Sequence, residues 1–254
     1  MDKKQREERR RQEDIALQRG LLWVAGAVVL EALLVLVNRF YINFRLTDAG
    51  INIYVGLGQW LPILRNVTLA AAVLVLLWAV WRLRKGEKFG WPLIGSIALG
   101  AVAVCAHVAV KFQESGVSML FWLVAAWAVL ALVYYIYQRE FFLAAAACGM
   151  SVLGQWFARY GAAGRLESGL LTAGIALVGL AALWLKKNDG VIPAPKPIQF
   201  LPKGGSHGVL LVTCLASLAA MAAGLAVESL AYYLIFAMAA WLFALFVYYT
   251  VKLM

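Results

Sequence analysis

Between Gly20 and Lys252 the chain is a succession of apolar runs, most about twenty residues long and separated by short polar or glycine-bearing breaks. In hydrocarbon every backbone amide and carbonyl must be satisfied within the protein, so runs of ~20 apolar residues fold as membrane-spanning helices. Eight runs stand out, at 20–40, 60–82, 91–112, 117–137, 141–158, 166–186, 208–227 and 230–251. With 64% hydrophobic and 14% charged residues, little of the 254-residue chain remains for a domain in water. The expected fold is an all-α integral membrane protein of about eight transmembrane helices.

Positively charged loops resist translocation, so lysine and arginine placement sets orientation. With the amino terminus inside, seventeen basic residues fall on the cytoplasmic side, among them Arg82, Arg84, Lys85, Lys88, Lys186, Lys187 and Lys252. Both termini are therefore expected in the cytoplasm, and the protein in the plasma (cytoplasmic) membrane as a multi-pass component. The first run has a charged prelude but ends in LVNRFY without a small-residue cleavage site, which reads as a retained signal anchor. Residues 1–19, with seven basic and five acidic side chains, form a charged cytoplasmic segment expected to prolong the first helix. The net charge of +10 reflects cytoplasmic loops at a membrane surface and does not call for nucleic acid as a partner.

Internal similarity divides the membrane part in two. RFYINFRL at 39–46 and RYGAAGRL at 159–166 follow apolar runs at corresponding places, 120 residues apart. Ala125-Ala126-Trp127 with Tyr134-Tyr135 recurs 114 residues on as Ala239-Ala240-Trp241 with Tyr248-Tyr249, and Glu114-Ser115 recurs as Glu228-Ser229. A longer outer loop at 47–59 and a longer cytoplasmic loop at 187–207 reconcile the two offsets. The expected organisation is two parallel four-helix repeats, 20–137 and 141–254, related by an axis near the membrane normal. Pro62 and Pro92 are expected in the first turns of their helices. Pro193, Pro195, Pro197 and Pro202 suggest an extended, polyproline-like loop within 187–207. The loop 47–59, with three glycines among apolar residues, is expected to lie on the membrane as a lid.

The residues that carry chemistry are few. Six basic residues fall away from the cytoplasmic side: Arg39, Arg45, Arg65, Lys111, Arg159 and Arg165. Four of them belong to the repeated pattern, and guanidinium groups hold phosphate or carboxylate through paired donors. Arg39, Arg45, Arg159 and Arg165 are thus the expected anion-binding set, with Arg65, His107 and Lys111 as supporting polar residues. Glu31 lies eleven residues beyond Gly20, roughly 16 Å along its helix at ~1.5 Å per residue, where a carboxylate is costly. It reads either as the partner of Arg65 in an ion pair or as a proton carrier. Cys105, Cys148 and Cys214 fall in three separate runs and are expected as free thiols. Spans five and seven, with AAAACG at 144–149 and LASLAAMAAG at 215–224, are expected to pack closely.

No nucleotide loop, zinc spacing, haem motif or nucleophile elbow is present, so no cofactor, metal or catalytic residue is expected. The expected function is that of a small polytopic transporter or flippase-like protein that binds an anionic solute or lipid headgroup from the outer side. Anionic membrane lipids are its expected partners. The alternative is a noncatalytic membrane subunit or scaffold that engages a cytoplasmic protein through its charged tail and proline-rich loop.

Overall fold

A computed structural model of the protein describes residues 3–44, 47–84, 90–136, 139–188, 191–192, 198–199 and 207–253. Helix α1 spans Lys3–Val37 and continues into a π-helical turn, Asn38–Ile42. Then follow α2 (Asp48–Arg84), α3 (Gly90–Ile136), α4 (Arg139–Ala158), a 3-10 turn at Gly161–Ala163 and α5 (Arg165–Lys187). Two dipeptide strands, β1 (Val191–Ile192) and β2 (Ile198–Gln199), precede α6 (His207–Ala226) and α7 (Glu228–Leu253).

Among the described residues seven helical stretches are long and apolar enough to cross a membrane: Gly20–Ile42, Asp48–Arg82, Ala98–Val133, Glu140–Ala158, Arg165–Lys187, Gly208–Ala226 and Glu228–Lys252. The protein is thus a helical multi-pass membrane protein. The third stretch runs through a break. Gln113 adopts φ 45° and ψ −123°, which ends one helical segment of α3 and starts the next. A Cβ at Gly116 would lie 2.5 Å from the Val108 carbonyl oxygen. Eight residues of straight helix separate such atoms by roughly 12 Å of rise, so the chain turns back sharply at Gln113.

Residues 21–129 form one compact unit, and residues 130–254 with the first twenty form another. In the first unit, α2 and α3 run antiparallel: Arg65 faces His107, and the Ser96 hydroxyl donates to the Ala72 carbonyl at 2.9 Å. Trp23 of α1 meets Trp127 edge-on at 5.2 Å.

Two expectations for this part of the chain are corrected. Residues 48–59 are the first turns of α2 rather than a loop, because Thr47 caps the helix and aromatic rings hold it. The Gly50 amide donates to Thr47 Oγ1 at 3.2 Å, and Tyr54 stacks on Phe44 at 4.4 Å and on Tyr41 at 5.6 Å. Pro62 consequently lies inside a helix instead of in its first turn, where its ring removes one ladder bond. Pro92, in contrast, is in the first turn of α3.

In the second unit α4 is the central helix and packs against α5, α6 and α7. Alanine makes this close approach possible, since without a hydrophobic drive between helices in lipid, association rests on van der Waals contact between small faces. Ala144, Ala147 and Cys148 are fully buried, and Phe141 and Tyr249 fill the same core. The two small-residue-rich helices, α4 and α6, pack together within this chain. Ser151 reaches the Ser217 carbonyl at 3.4 Å, Gly154 gives room to Met221, and Gly224 gives room to Gln155. These pairs keep a nearly constant sequence separation, so the two helices run parallel.

The three cysteines are free, with Cys148 and Cys214 buried and Cys105 half-buried. The loop expected at 187–207 begins as the last residue of α5 and includes an antiparallel pairing of Ile192 with Ile198 and Val191 with Gln199. Its four prolines lie outside the described residues. His207 is the first residue of α6 rather than part of a linker.

Candidate functional site

In the unit of residues 21–129, polar groups of α2 meet those of the α3 segment that precedes the turn at Gln113. His107 precedes that turn by six residues, about 9 Å at ~1.5 Å per residue. Arg65 approaches it from α2, with Nη1 3.5 Å from His107 Nδ1, and its Nε donates to Asn66 Oδ1 at 3.1 Å. Arg65 and His107 are both half-buried. Lys111, one turn beyond His107 on the same helix, places Nζ 5.5 Å from the centre of the Phe112 ring. Thr68, one turn from Arg65, is buried and its hydroxyl donates to the Leu64 carbonyl at 2.7 Å.

The expected ion pair of Arg65 with Glu31 is not formed. Arg65 turns to His107 and Asn66, which are neutral or cationic partners, and Glu31 remains half-buried on α1. The sequence placed both groups in apolar helices, but which helix face meets which is set by the packing of α2 on α3.

Arg39 is exposed in the π-helical turn, with its guanidinium 5.8 Å from the centre of the Phe40 ring. Arg45 lies outside the described residues. In the other unit Arg159 is exposed at the end of α4, over the Tyr232 ring of α7 at 5.3 Å. Arg165 is exposed as the first residue of α5. Each described arginine of the repeated pattern therefore stands at a helix end. Between Arg159 and Arg165 the chain makes a tight connection. Gly161 has φ +55° and faces the Glu228 carboxylate, and Gly164 sits directly on the Phe157 carbonyl. Neither position leaves room for a side chain.

Polar groups that the sequence did not single out lie along α4. Glu140, Ser151 and Gln155 are fully buried there, and Glu167 and Ser168 are buried at the start of α5. Ser151, Gln155 and Arg159 follow one another at i, i+4, so they share a face of α4 that meets α6 and α7. Neither the nitrogen nor the oxygen of the Gln155 amide has a hydrogen-bond partner. That is a costly arrangement inside a bundle, about 1–3 kcal/mol for an unsatisfied polar group. A helical-face reading of 151, 155 and 159 was the signal available in the sequence. Among the described residues no group of three or more His, Cys, Asp or Glu is placed to hold a metal ion.

Comparison with protein-family models, with curated proteins and with solved structures finds no match to this chain.

Proposed function

We propose that this chain is a small multi-pass membrane transporter or flippase-like protein that binds an anionic solute or anionic lipid headgroup from the outer side. Arg65 carries the reading. A guanidinium stays charged at all accessible pH values, and within a membrane helix it is ordinarily stabilised by a carboxylate. Here it faces an imidazole and an amide in a helical pair that also bears Lys111. Among the described residues no carboxylate pairs with Arg65, so an anion would complement it. Arg39, Arg45, Arg159 and Arg165, the arginines of the repeated pattern, are the further anion-binding candidates. Glu31, left without Arg65 as counter-ion, is the candidate proton carrier.

The transporter reading goes with a duplicated architecture of eight spans, both termini cytoplasmic, in the plasma membrane. The turn at Gln113 supports it, because it divides α3 into two helices of membrane length. Its counterpart is Val227, the single residue between α6 and α7, which lies 114 residues further on. Each break is followed by Glu-Ser, and the turns at Asn38–Ile42 and Gly161–Ala163 stand at corresponding places near the repeated arginines. The same order of elements at both ends of the halves is what a duplication produces.

The test is thermal stabilisation of the purified protein by phosphate, by small carboxylates and by short-chain anionic phospholipids, since a ligand of the native state raises the melting temperature. The wild type is expected to be stabilised by one of these classes. Arg65→Gln abolishes the effect and Arg65→Lys retains part of it. Equal stabilisation of wild type and Arg65→Gln, or none in the wild type, overturns the proposal.

A further inference from the structure

The second unit carries a groove that the arginine site does not use. It opens between α6 and α7 with a volume of about 450 Å³, walled by Gly208, Val209 and Val212 on one side and Trp241, Ala244 and Tyr248 on the other. Its walls are almost wholly apolar. The indole N–H of Trp241 is already engaged, donating to Thr213 Oγ1 at 3.2 Å, and the Thr213 hydroxyl donates in turn to the Val209 carbonyl at 2.8 Å. The groove therefore offers a ligand contact area without polar groups to match. From Trp241 to Tyr248 it runs seven residues along α7, about 10 Å at ~1.5 Å per residue. A cleft of that size, open between two helices long and apolar enough to cross a membrane, matches part of an acyl chain.

One end of the groove is positively charged. Lys252 follows Tyr248 by one turn on the same face of α7 and places its Nζ 5.8 Å from the Tyr249 ring centre. The first turn of α6, where the helix dipole places partial positive charge, begins at the same end. Gly179 of α5 lies against Cys214 of α6, and the two helices run in opposite directions. The exposed Lys186 and Lys187 in the last turn of α5 therefore also fall at that end. The carboxylate of Glu140, in the first turn of α4, is fully buried and interacts electrostatically with Tyr249, the ring beside Lys252, so one carboxylate stands against the three lysines at this end. Clusters of lysine at the end of a membrane helix attract anionic headgroups.

We propose that the α6–α7 groove is a binding site for one anionic phospholipid, its acyl chain between Val212 and Ala244 and its phosphate at Lys252. The site is independent of the arginines discussed above. Gly208 is a suitable point of entry: it lines the groove, and a Cβ there meets nothing within 4 Å, so a substitution begins without a backbone clash.

The full-length protein in a neutral detergent is titrated with phosphatidylglycerol and with phosphatidylcholine of the same acyl chains, and bound lipids are counted by native mass spectrometry. The wild type is expected to bind one phosphatidylglycerol in preference to phosphatidylcholine. Gly208→Leu weakens both lipids about tenfold, the effect of displacing roughly two buried methylene groups. Ala244→Phe does the same from the opposite wall. Lys252→Gln weakens phosphatidylglycerol alone, by about fivefold, as expected for one lysine at a lipid surface. Equal binding of the two lipids by the wild type overturns the proposal. So does unchanged phosphatidylglycerol binding in both Gly208→Leu and Ala244→Phe. A wild-type dimer that these variants convert to monomer also overturns it, because the groove would then hold a second copy of the chain.

Discussion

Gly164→Ala isolates what holds the connection between Arg159 and Arg165. The backbone at Gly164, φ −100° and ψ 1°, is open to alanine, so the substitution brings no dihedral strain. Its effect is steric. The new methyl group would fall on the carbonyl oxygen of Phe157 and within 2.7 Å of that carbonyl carbon, both backbone atoms that cannot rotate away. Relief requires moving the turn, whose bonds run from Ala163 N to Tyr160 O, from Gly164 N to Gly161 O and from Ser168 N to Gly164 O. Overpacking costs about 1–3 kcal/mol, and weakening one such bond adds about 1 kcal/mol. Gly169→Ala, one turn along α5, meets nothing within 4 Å and should gain up to about 1 kcal/mol of helix propensity. The two variants should therefore differ by about 2–5 kcal/mol, on the order of 10 °C in melting temperature for a chain of this size. The cysteines supply the assay. Cys148 on α4 and Cys214 on α6 are buried, so a maleimide dye reacts with them only as this unit opens, once Cys105 is replaced by alanine. If Gly164→Ala melts within about 2 °C of Gly169→Ala, the contact with Phe157 does not govern this connection.

Two further outcomes follow from single residues. Gln155→Met removes a buried amide that has no hydrogen-bond partner while keeping its approximate volume, so the melting temperature should rise by several degrees; a fall would mean that the amide is satisfied in the membrane. Gln113→Gly should also stabilise, by about 1 kcal/mol, because φ 45° with ψ −123° suits glycine and strains any other residue; a chemical-denaturation midpoint unchanged or lowered would refute this.

Much of the fold was legible from hydropathy alone. A helix in hydrocarbon is dictated by local composition, because the backbone must satisfy itself within each run whatever its neighbours are. The helices from α4 to α7 accordingly appear near their expected places, and the charged amino-terminal segment continues into the first span as one helix. Boundaries in water were less legible. The Thr47 cap at Asp48 is a local signal that the apolar-run reading passed over, whereas the stacking of Tyr54 on Phe44 depends on how the chain returns from α1.

The candidate site divides in the same way. Residue type and position were enough to put Arg65, His107 and Lys111 within apolar helices and Arg39, Arg159 and Arg165 at helix ends, because charge in an apolar run is visible residue by residue. Tertiary structure alone decided that Arg65 meets His107 rather than Glu31, that Gln155 is enclosed, and that α6 and α7 part to leave a groove. Those outcomes depend on the rotation of each helix about its axis. That rotation is set by small-residue contacts such as Gln155 on Gly224 and Met221 on Gly154, which join residues far apart in the chain.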